Sequence, residues 1–365
     1  MKIKDVLQYL ENKYPLDLQE DFDNCGIQCG DKERDLTGIL VCFEISDDTI
    51  DKAIAQKKNL IISHHPLLLR RGIFKIEPTH RIGRIICKAL ENKMVLYSMH
   101  TNLDVAEGGV NDCFADKLHL LNTVVLSPSS AKMQKIAFFV PQSHSSAVKD
   151  ALFQVGCGRI GNYENCAYHV NGFGSFKPLE DAHPFIGECN NTERVEEERV
   201  EMVFPAYLQK RVIEALYRHH PYEEPAFDLY ALENPLRRAG LGRVGKLEHP
   251  LNGINFLQLV KDTFSLKYLR YYGDTERKIS RVAVCGGSGS SFITNAIAAN
   301  ADAYITGDVK YHDFHLADGK MLIIDIGHFE SEHFIKEIIF SELKENYSNF
   351  AVSISEEEKM QIQVI

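Results

Sequence analysis

One pattern of apolar runs occurs twice in this chain, and it constrains the fold more than any other feature of the sequence. In the first half, three apolar runs alternate with helix-like segments, the runs at residues 38–43, 59–62 and 94–99 and the helix-like segments at 47–56 and 80–92. In the second half the order returns, with runs at 281–285, 301–305 and 321–326 and a helix-like segment at 292–299. Such alternation predicts a mostly parallel sheet in each half.

The spacing within the two halves indicates an internal duplication. Cys42 and Cys285 each follow an apolar run, and 21 positions separate Cys42 from Ser63 as well as Cys285 from Thr306. A duplicated unit explains this agreement better than chance does. We therefore predict an α/β fold with two duplicated α/β lobes, whose strand ends face each other across one cleft.

The segment between the two halves has a different order of elements. Between residues 135 and 232 the patterns read strand, helix, strand, strand, helix, strand. This βαββαβ order is typical of the ferredoxin-like unit, which can fold by itself. Turn-forming stretches at 127–130 and 235–245 mark its ends. We predict a first lobe at residues 1–129, an inserted domain at 130–236 and a second lobe at 237–365.

The composition excludes several classes of function. A formal net charge of −10, without any block of Lys or Arg, argues against an extended nucleic-acid surface. Because we find neither an apolar stretch long enough to span a membrane nor a signal-peptide pattern, we expect no membrane partner and a cytoplasmic location. The 9 cysteines are scattered and odd in number, which suits reduced thiols. Cys25 and Cys29 form one close pair, but no second pair completes a thiolate zinc site.

The run from Leu60 to Pro66 reads Leu-Ile-Ile-Ser-His-His-Pro, an apolar strand that ends in two imidazoles. Proline cannot continue a strand ladder, so His64 and His65 should lie at the carboxyl edge of the sheet, where open α/β sheets bind their ligands. Adjacent residues of a strand point to opposite faces. We therefore expect the two histidines to diverge at the strand end toward two neighbouring ions.

Two further strand ends carry ligand-type residues. The run at 94–99 is followed by His100 and by Asp104, a carboxylate suited to bridging two divalent cations. After the run at 321–326 a strand breaks at Gly327, and His328 and Glu332 lie four apart, on one face of a helix. Each motif alone is more often structural, but three at the same topological position predict a site for two divalent ions, zinc, iron or manganese. The predicted ligands are His64, His65, Asp104, His328 and Glu332.

Other residues are weaker candidates. His100 and His312 could serve as a general acid. Gly286, Gly287 and Gly289 lie in a glycine-rich loop between a strand and a helix, which is either a phosphate cradle or a tight structural turn. Asp308, His312 and His315 occupy the second half's counterpart of the Ser-His-His-Pro loop. They could orient ligands, although a surface position is the more common role of such residues.

Several of these segments together resemble the NIF-three-like family, also called the GTP cyclohydrolase I type 2 homologues. The motifs are Asp-Asn-Cys-Gly-Ile-Gln at 23–28, Ser-His-His-Pro at 63–66, His-Thr-Asn-Leu-Asp at 100–104, Gly-Leu-Gly-Arg-Val-Gly at 240–245, Thr-Gly-Asp-Val at 306–309 and Gly-His-Phe-Glu-Ser-Glu at 327–332. The segment at 220–228 resembles the PII-like insertion of the longer bacterial members. The resemblance implies a dinuclear metal cleft with the five ligands named above, and a toroidal homohexamer. Glu44 stands where many relatives would have an aspartate.

We predict a metal-dependent hydrolase in which a metal-bridging hydroxide attacks a nucleotide. The resemblance implies GTP as the substrate and opening of its purine ring. A nucleotide phosphoesterase would use the same metals and stays an alternative, mildly favoured by the glycine-rich loop. A second alternative is a non-catalytic metal-binding scaffold or regulator that acts through protein partners, with the PII-like insertion sensing a small ligand.

Overall fold

A computed structural model describes residues 1–69 and 75–355 of the chain. The chain divides into two compact units. The first unit combines both ends of the chain, Met1–Pro128 and Arg238–Ile365, and the second is the middle segment, Ser129–Arg237. None of the helices in the described ranges has the length and apolar character that crossing a bilayer requires.

The first half of the chain contains the predicted alternation of strands and helices, followed by an eight-residue strand. Its elements are α1 (Ile3–Lys13), β1 (Gly26–Cys29), β2 (Ile39–Cys42), α2 (Asp47–Ala55), β3 (Leu60–Ser63), α3 (Arg81–Glu91), β4 (Val95–Ser98), α4 (Thr101–Val105), α5 (Val110–Lys117) and β5 (Leu121–Pro128).

The middle unit has the βαββαβ order expected from the sequence. Its elements are β6 (Lys132–Pro141), α6 (Ser145–Gln154), β7 (Tyr168–Phe176), β8 (Glu193–Pro205), α7 (Gln209–His219) and β9 (Phe227–Pro235). The four strands form one antiparallel sheet in the order β7-β8-β6-β9. Helices α6 and α7 bury Val148, Leu152 and Val212 against apolar side chains of this sheet, so the unit has a core of its own.

The last part of the chain repeats the alternation of the first. Its elements are β10 (Gly240–Asn252), α8 (Gly253–Thr263), β11 (Arg270–Tyr272), β12 (Lys278–Val284), α9 (Ile293–Ala298), β13 (Ala303–Thr306), α10 (Tyr311–Phe314), β14 (Leu322–Asp325), α11 (His328–Glu332), α12 (Ile335–Asn346) and β15 (Val352–Ile354).

Two sheets of the first unit share one topology. One sheet has the order β1-β4-β3-β2-β15 and the other β11-β14-β13-β12-β10-β5. In each, three strands run parallel, β2-β3-β4 and β12-β13-β14, and an antiparallel strand lies beside the last of them. The duplication inferred from spacing thus extends to β1 and β11, which hydrophobic patterning did not reveal.

The two halves also exchange strands. β5 from the first half pairs with β10 of the second, and β15 from the second half pairs in parallel with β2 of the first. The stretch at 235–245, expected to be a boundary of turns, is partly strand, since β10 begins at Gly240. A Cβ atom at Gly240 would lie 2.3 Å from the carbonyl oxygen of Ser127, so glycine permits this close approach of β10 and β5.

Apolar side chains of the helices pack on the two sheets and fix the positions of the carboxyl ends of the parallel strands. Ile50 of α2 and Ile85 of α3 are fully buried on the face of the first sheet, against Ile61 and Leu96. In the second sheet Ile293 of α9 packs in the equivalent cluster. Burying a side chain of this size stabilises the fold by roughly 1.5–3 kcal/mol. These packed layers hold the loops after β3, β4 and β14 in fixed positions.

Candidate metal centre

The structure brings all five predicted ligands together. His64 and His65 follow β3, Asp104 lies in α4 directly after β4, and His328 and Glu332 form the ends of α11, after β14. Proline at 66 and glycine at 327 end the regular strands, and Gly327 has a φ of 95°, which favours glycine. Loops from both halves of the duplicated unit therefore build one cluster.

Glu332 is the centre of the cluster. Its Oε2 atom lies 3.7 Å from Nε2 of His64, 3.4 Å from Nε2 of His65 and 3.1 Å from Nε2 of His328. Asp104 contributes Oδ1, at 3.7 Å from Nε2 of His64. Ligand atoms of His64, His65 and Glu332 all lie within 4.8 Å of one another, so these three side chains could hold a metal ion.

Three of these atoms are buried without a hydrogen bond to any described residue: Nε2 of His64, Oδ1 of Asp104 and Oε2 of Glu332. A buried polar atom without a partner costs about 1–3 kcal/mol, more if it is charged. An imidazole nitrogen and carboxylate oxygens in one cluster are the kind of donor set that binds zinc, iron or manganese. The cluster therefore fits a divalent cation.

The Nδ1 atoms of the three histidines are held from outside the cluster. Nδ1 of His64 donates to the carbonyl oxygen of Met99 at 2.7 Å, and Nδ1 of His328 donates to Asp308 Oδ2 at 2.7 Å. Nδ1 of His65 lies 3.3 Å from Oε1 of Glu44. These contacts favour the tautomer with the lone pair on Nε2, the atom turned toward Glu332.

The charged side chains of the cluster shift one another's pKa values. Burial lowers the pKa of His65 and of His328, but nearby carboxylates outweigh this effect and raise the two pKa values to about 9 and about 10. Burial and the negative charge of Glu332 raise the pKa of Asp104. Burial would also raise the pKa of Glu332, yet the surrounding imidazoles hold it well below its usual value.

His100 lies at the edge of this cluster, whereas His312 is on the surface. The ring of His100 has its centroid 5.4 Å from that of His64 and 5.3 Å from that of His65. His312 is exposed in α10, where its ring contacts Tyr311. No contact between His312 and the five ligands is found in the part of the chain that the structure describes. Among Asp308, His312 and His315, a hydrogen bond to one of the five predicted ligands is found in the described residues for Asp308, which accepts from His328.

Asp23 is a further functional candidate. From the sequence it is known only as the first residue of the motif at 23–28. It is buried, and its Oδ1 accepts a hydrogen bond from Nδ1 of His100 at 2.9 Å. Its Oδ2 accepts from the backbone N–H of Thr101 at 2.9 Å and lies near the thiol of Cys25. Burial would raise the pKa of Asp23, but the hydrogen bonds from His100 and Thr101 outweigh it and hold the pKa well below its usual range.

The glycine-rich loop lies beside the cluster, and its backbone N–H groups bond to other parts of the protein. The backbone N–H of Gly286 donates to Asn111, that of Gly287 to Ser331, and that of Gly289 to Thr306. These donors are used within the protein, which favours the structural turn over phosphate binding. A Cβ atom at Gly287 would lie 2.3 Å from Oε1 of Glu332, so the glycine makes room for the central carboxylate.

Comparison with known proteins places the chain among relatives of similar length. The family model described as Duf34/NIF3 (NGG1p interacting factor 3) matches residues 1–360. A Bacillus subtilis protein named "GTP cyclohydrolase 1 type 2 homolog" is 39% identical over 355 residues, which cover 96% of this chain and 94% of the relative. A Listeria innocua protein of the same name is 37% identical over 94% of this chain and 92% of its own length.

Two solved structures have the same fold over the whole chain. One is a Bacillus cereus protein related to NIF3, with a TM-score of 0.88, 34% identity and coverage of 100% of this chain and 99% of the other. The second is a Staphylococcus aureus protein with a TM-score of 0.75, 28% identity and the same coverage.

Proposed function

Given that this chain belongs to the Duf34/NIF3 family, we propose that it is a metal-dependent hydrolase that acts on a nucleotide. Its site holds two divalent ions through five side chains, His64, His65, Asp104, His328 and Glu332. The observation that carries the proposal is that Nε2 of His64, Oδ1 of Asp104 and Oε2 of Glu332 are buried without a hydrogen bond to any described residue, with the nitrogen 3.7 Å from each of the two oxygens.

Two ions account for the shape of the cluster better than one. Glu332 Oε2 contacts three imidazoles, which is more than one carboxylate oxygen needs for a single neighbouring ion. Nε2 of His64 also lies 3.7 Å from Oδ1 of Asp104, and Nε2 of His65 lies 3.3 Å from Nε2 of His328. Glu332, which lies nearest the three imidazoles, would help to hold the ions. The bridging role predicted for Asp104 remains part of the proposal.

The exposure of the ligands defines an open side and a closed side. The side chain of His64 is 0% exposed and that of Glu332 5%, whereas that of His65 is 20% and that of His328 35% exposed. A substrate would therefore approach from the side of His65 and His328. When bound, divalent ions polarise an electrophilic group and lower the pKa of water toward neutrality.

His100 is placed to transfer a proton. Its Nδ1 is occupied by Asp23, so Nε2 is the atom that remains for exchange with a substrate. The side chain of His100 is 19% exposed and lies against the rings of His64 and His65, at the margin of the site. A carboxylate that accepts the Nδ1–H of an imidazole fixes its tautomer and orientation. We assign His100 as the general acid and Asp23 as its positioning residue.

The substrate is proposed from the relatives' name, "GTP cyclohydrolase 1 type 2 homolog", as a nucleotide of the GTP type whose purine ring is opened. We further propose that the middle unit is a PII-like insertion, because it has the strand order β7-β8-β6-β9 of a ferredoxin-like sheet. A toroidal homohexamer, implied by the family resemblance, is the proposed assembly. Light scattering should then give six times the chain mass of 41.4 kDa.

The experiment that tests the activity separates ring opening from phosphoester hydrolysis. The metal-loaded protein is incubated with GTP, and formate and phosphate are measured separately. Formate without phosphate is the expected result, and phosphate without formate would replace the cyclohydrolase proposal with the phosphoesterase. If neither product forms, both the cyclohydrolase proposal and the phosphoesterase alternative are contradicted.

Two variants act as a matched pair in that assay. Asp104→Asn removes a charge from the buried set and should abolish turnover, because carboxylate ligands compensate the charge of the ions. Glu330→Gln changes a glutamate in the same helix as Glu332, outside the cluster that could hold a metal. It should retain activity.

A further inference from the structure

The middle unit contains a cavity that the proposed hydrolase site does not use. It has a volume of about 570 Å³ and lies between β7, the loop that follows it and the turn after α7. Pockets for small molecules measure about 300–1,000 Å³, so the size suits a compact organic ligand. All residues of the lining belong to the middle unit.

Aromatic side chains form much of the wall. Phe173, Phe176, Phe185 and Tyr222 line the cavity, and the ring of Tyr222 lies 5.8 Å from that of Phe176 and 6.4 Å from that of Phe185. Phe173 is 62% exposed and Phe185 is 51% exposed, although both are large apolar residues. Exposed aromatic surface around a concavity is typical of a ligand site.

A carboxylate lies among these rings. Glu197 of β8 lines the cavity and is only 7% exposed. Its Oε1 accepts a hydrogen bond from the hydroxyl of Tyr222 at 2.8 Å. Its Oε2 makes no hydrogen bond to any residue in the described ranges. A buried carboxylate whose second oxygen has no hydrogen-bond donor is stabilised when a positive charge or an N–H group binds that oxygen.

The surroundings keep this carboxylate in place. A Cβ atom at Gly174, on the neighbouring strand β7, would lie 2.0 Å from Oε2 of Glu197, so the glycine leaves the space that the oxygen occupies. Tyr222 is fixed in turn, because its backbone N–H donates to Nδ1 of His220, whose Nε2 lies 2.9 Å from the carbonyl oxygen of Phe139. The carboxylate is therefore preorganised before any ligand binds.

The charges of the lining favour a cation. They comprise three carboxylates and two basic groups, namely Glu197, Glu223, Glu224, Lys177 and Arg199. Arg199 is compensated outside the cavity by Glu201 at 3.0 Å. One face of Phe173 already holds the guanidinium of Arg194 at 4.2 Å, which shows that this ring accepts a positive charge.

We infer that the middle unit binds a small organic cation, an ammonium group carried on an apolar or aromatic body. The ammonium pairs with Oε2 of Glu197, and the body packs among Phe173, Phe176 and Phe185. Aromatic cages with a carboxylate are the usual receptors for such groups. The site would give this unit a ligand-binding role that is independent of the metal centre.

The test compares three probes of similar shape and different charge. 2-Phenylethylammonium, 2-phenylethanol and 3-phenylpropionate are titrated into the full-length protein by calorimetry. The ammonium compound should bind at least about tenfold more tightly than the other two, a difference of about 1.4 kcal/mol. Equal binding of the three, or no binding of the ammonium compound at millimolar concentration, would overturn the inference.

Variants locate the binding. Glu197→Gln keeps the shape of the side chain and should weaken ammonium binding at least about tenfold, whereas Glu196→Gln, an exposed neighbour on the same strand, should leave it unchanged. Circular dichroism checks that each variant is folded. Unchanged affinity in folded Glu197→Gln would place the ligand elsewhere and overturn the assignment. If a second copy of the chain fills the cavity instead, the wild-type protein will bind no probe, and Phe173→Ala will change the oligomeric mass.

Discussion

The Nε2 atoms of His65 and His328 lie 3.3 Å apart, although the two residues are 263 positions apart in the chain. Each imidazole is held from behind by a carboxylate of its own half, Glu44 for His65 and Asp308 for His328. If both Nε2 atoms carried a proton at this distance, the two N–H groups would repel each other unless a negatively charged group lay beside them. Oε2 of Glu332 supplies that negative charge, at 3.4 Å from Nε2 of His65 and 3.1 Å from Nε2 of His328.

Metal binding should therefore release protons. Nearby carboxylates raise the pKa of His65 to about 9 and that of His328 to about 10, so a proton held by this pair near neutral pH must leave before both imidazoles can become ligands. Calorimetric titration with zinc in buffers of different ionisation enthalpy should give about one to two protons released per chain. Affinity should rise with pH up to about 9–10. Binding enthalpies that are independent of the buffer would contradict this prediction.

The carboxylate behind His328 should matter for metal affinity although it does not touch the metal position. Asp308→Asn removes the charged acceptor of the 2.7 Å hydrogen bond from Nδ1. Loss of such an outer partner typically costs 10–100-fold in affinity, and we expect a loss of about that size. Asp313→Asn, in the nearby helix α10, serves as the control and should bind zinc as the wild type does. Competition with a chromophoric chelator measures both affinities.

Asp23→Asn should affect stability and activity while the metal stays bound. The substitution weakens the hydrogen bonds from His100 and Thr101 to a buried carboxylate, and we expect a loss of about 2–3 kcal/mol at pH 7 in urea unfolding of the metal-free protein. The pKa of Asp23 is depressed by folding, so its contribution is present above the unfolded pKa of about 4 and is lost as pH falls below it. The difference between variant and wild type should shrink below pH 4. A constant difference between pH 7 and pH 2 would refute this account of Asp23.

Arg243 joins the two halves of the duplicated unit through a buried ion pair. It is 3% exposed, and its Nη2 donates to Oδ2 of Asp112 in α5 at 2.8 Å. Arg243→Ala removes the ion pair, but Asp112 is 24% exposed and still accepts from the backbone N–H of Gly108, so the substitution should destabilise the protein by about 2–3 kcal/mol. The exposed pair of Arg238 and Glu107 offers a comparison, since Arg238→Ala should cost less than about 1 kcal/mol. Similar midpoints of urea unfolding for the two variants would contradict the prediction.

The sequence was sufficient to predict the alternating elements of both halves and of the middle unit, because their apolar patterns are strong. It did not predict β1, whose short run Gly-Ile-Gln-Cys lies in a turn-rich stretch. Nor did it predict that β5 and β15 cross between the sheets, since pairing of distant strands leaves no local pattern. The sequence predicts a turn at Gly240, because a glycine needed for close strand packing looks the same in sequence as a turn glycine.

The five residues of the cluster can be predicted from the sequence because each follows an apolar strand. Of their outer partners, the pattern offers Asp308 as one option, and the family resemblance draws attention to Glu44. Glu44 and Asp23 contact His65 and His100 only through the folded chain, and neither has a spacing that reveals this. The role of Gly287 in making room for Glu332 is likewise visible only in three dimensions.

The central claim is that five side chains hold two divalent ions, and anomalous diffraction from crystals grown with zinc tests it most directly. The account predicts two peaks about 3.5–4 Å apart, with His64, His65, Asp104, His328 and Glu332 each within bonding distance of at least one of them. A single peak would contradict the dinuclear assignment. No peak among these five residues, with zinc bound elsewhere or not at all, would contradict the site itself.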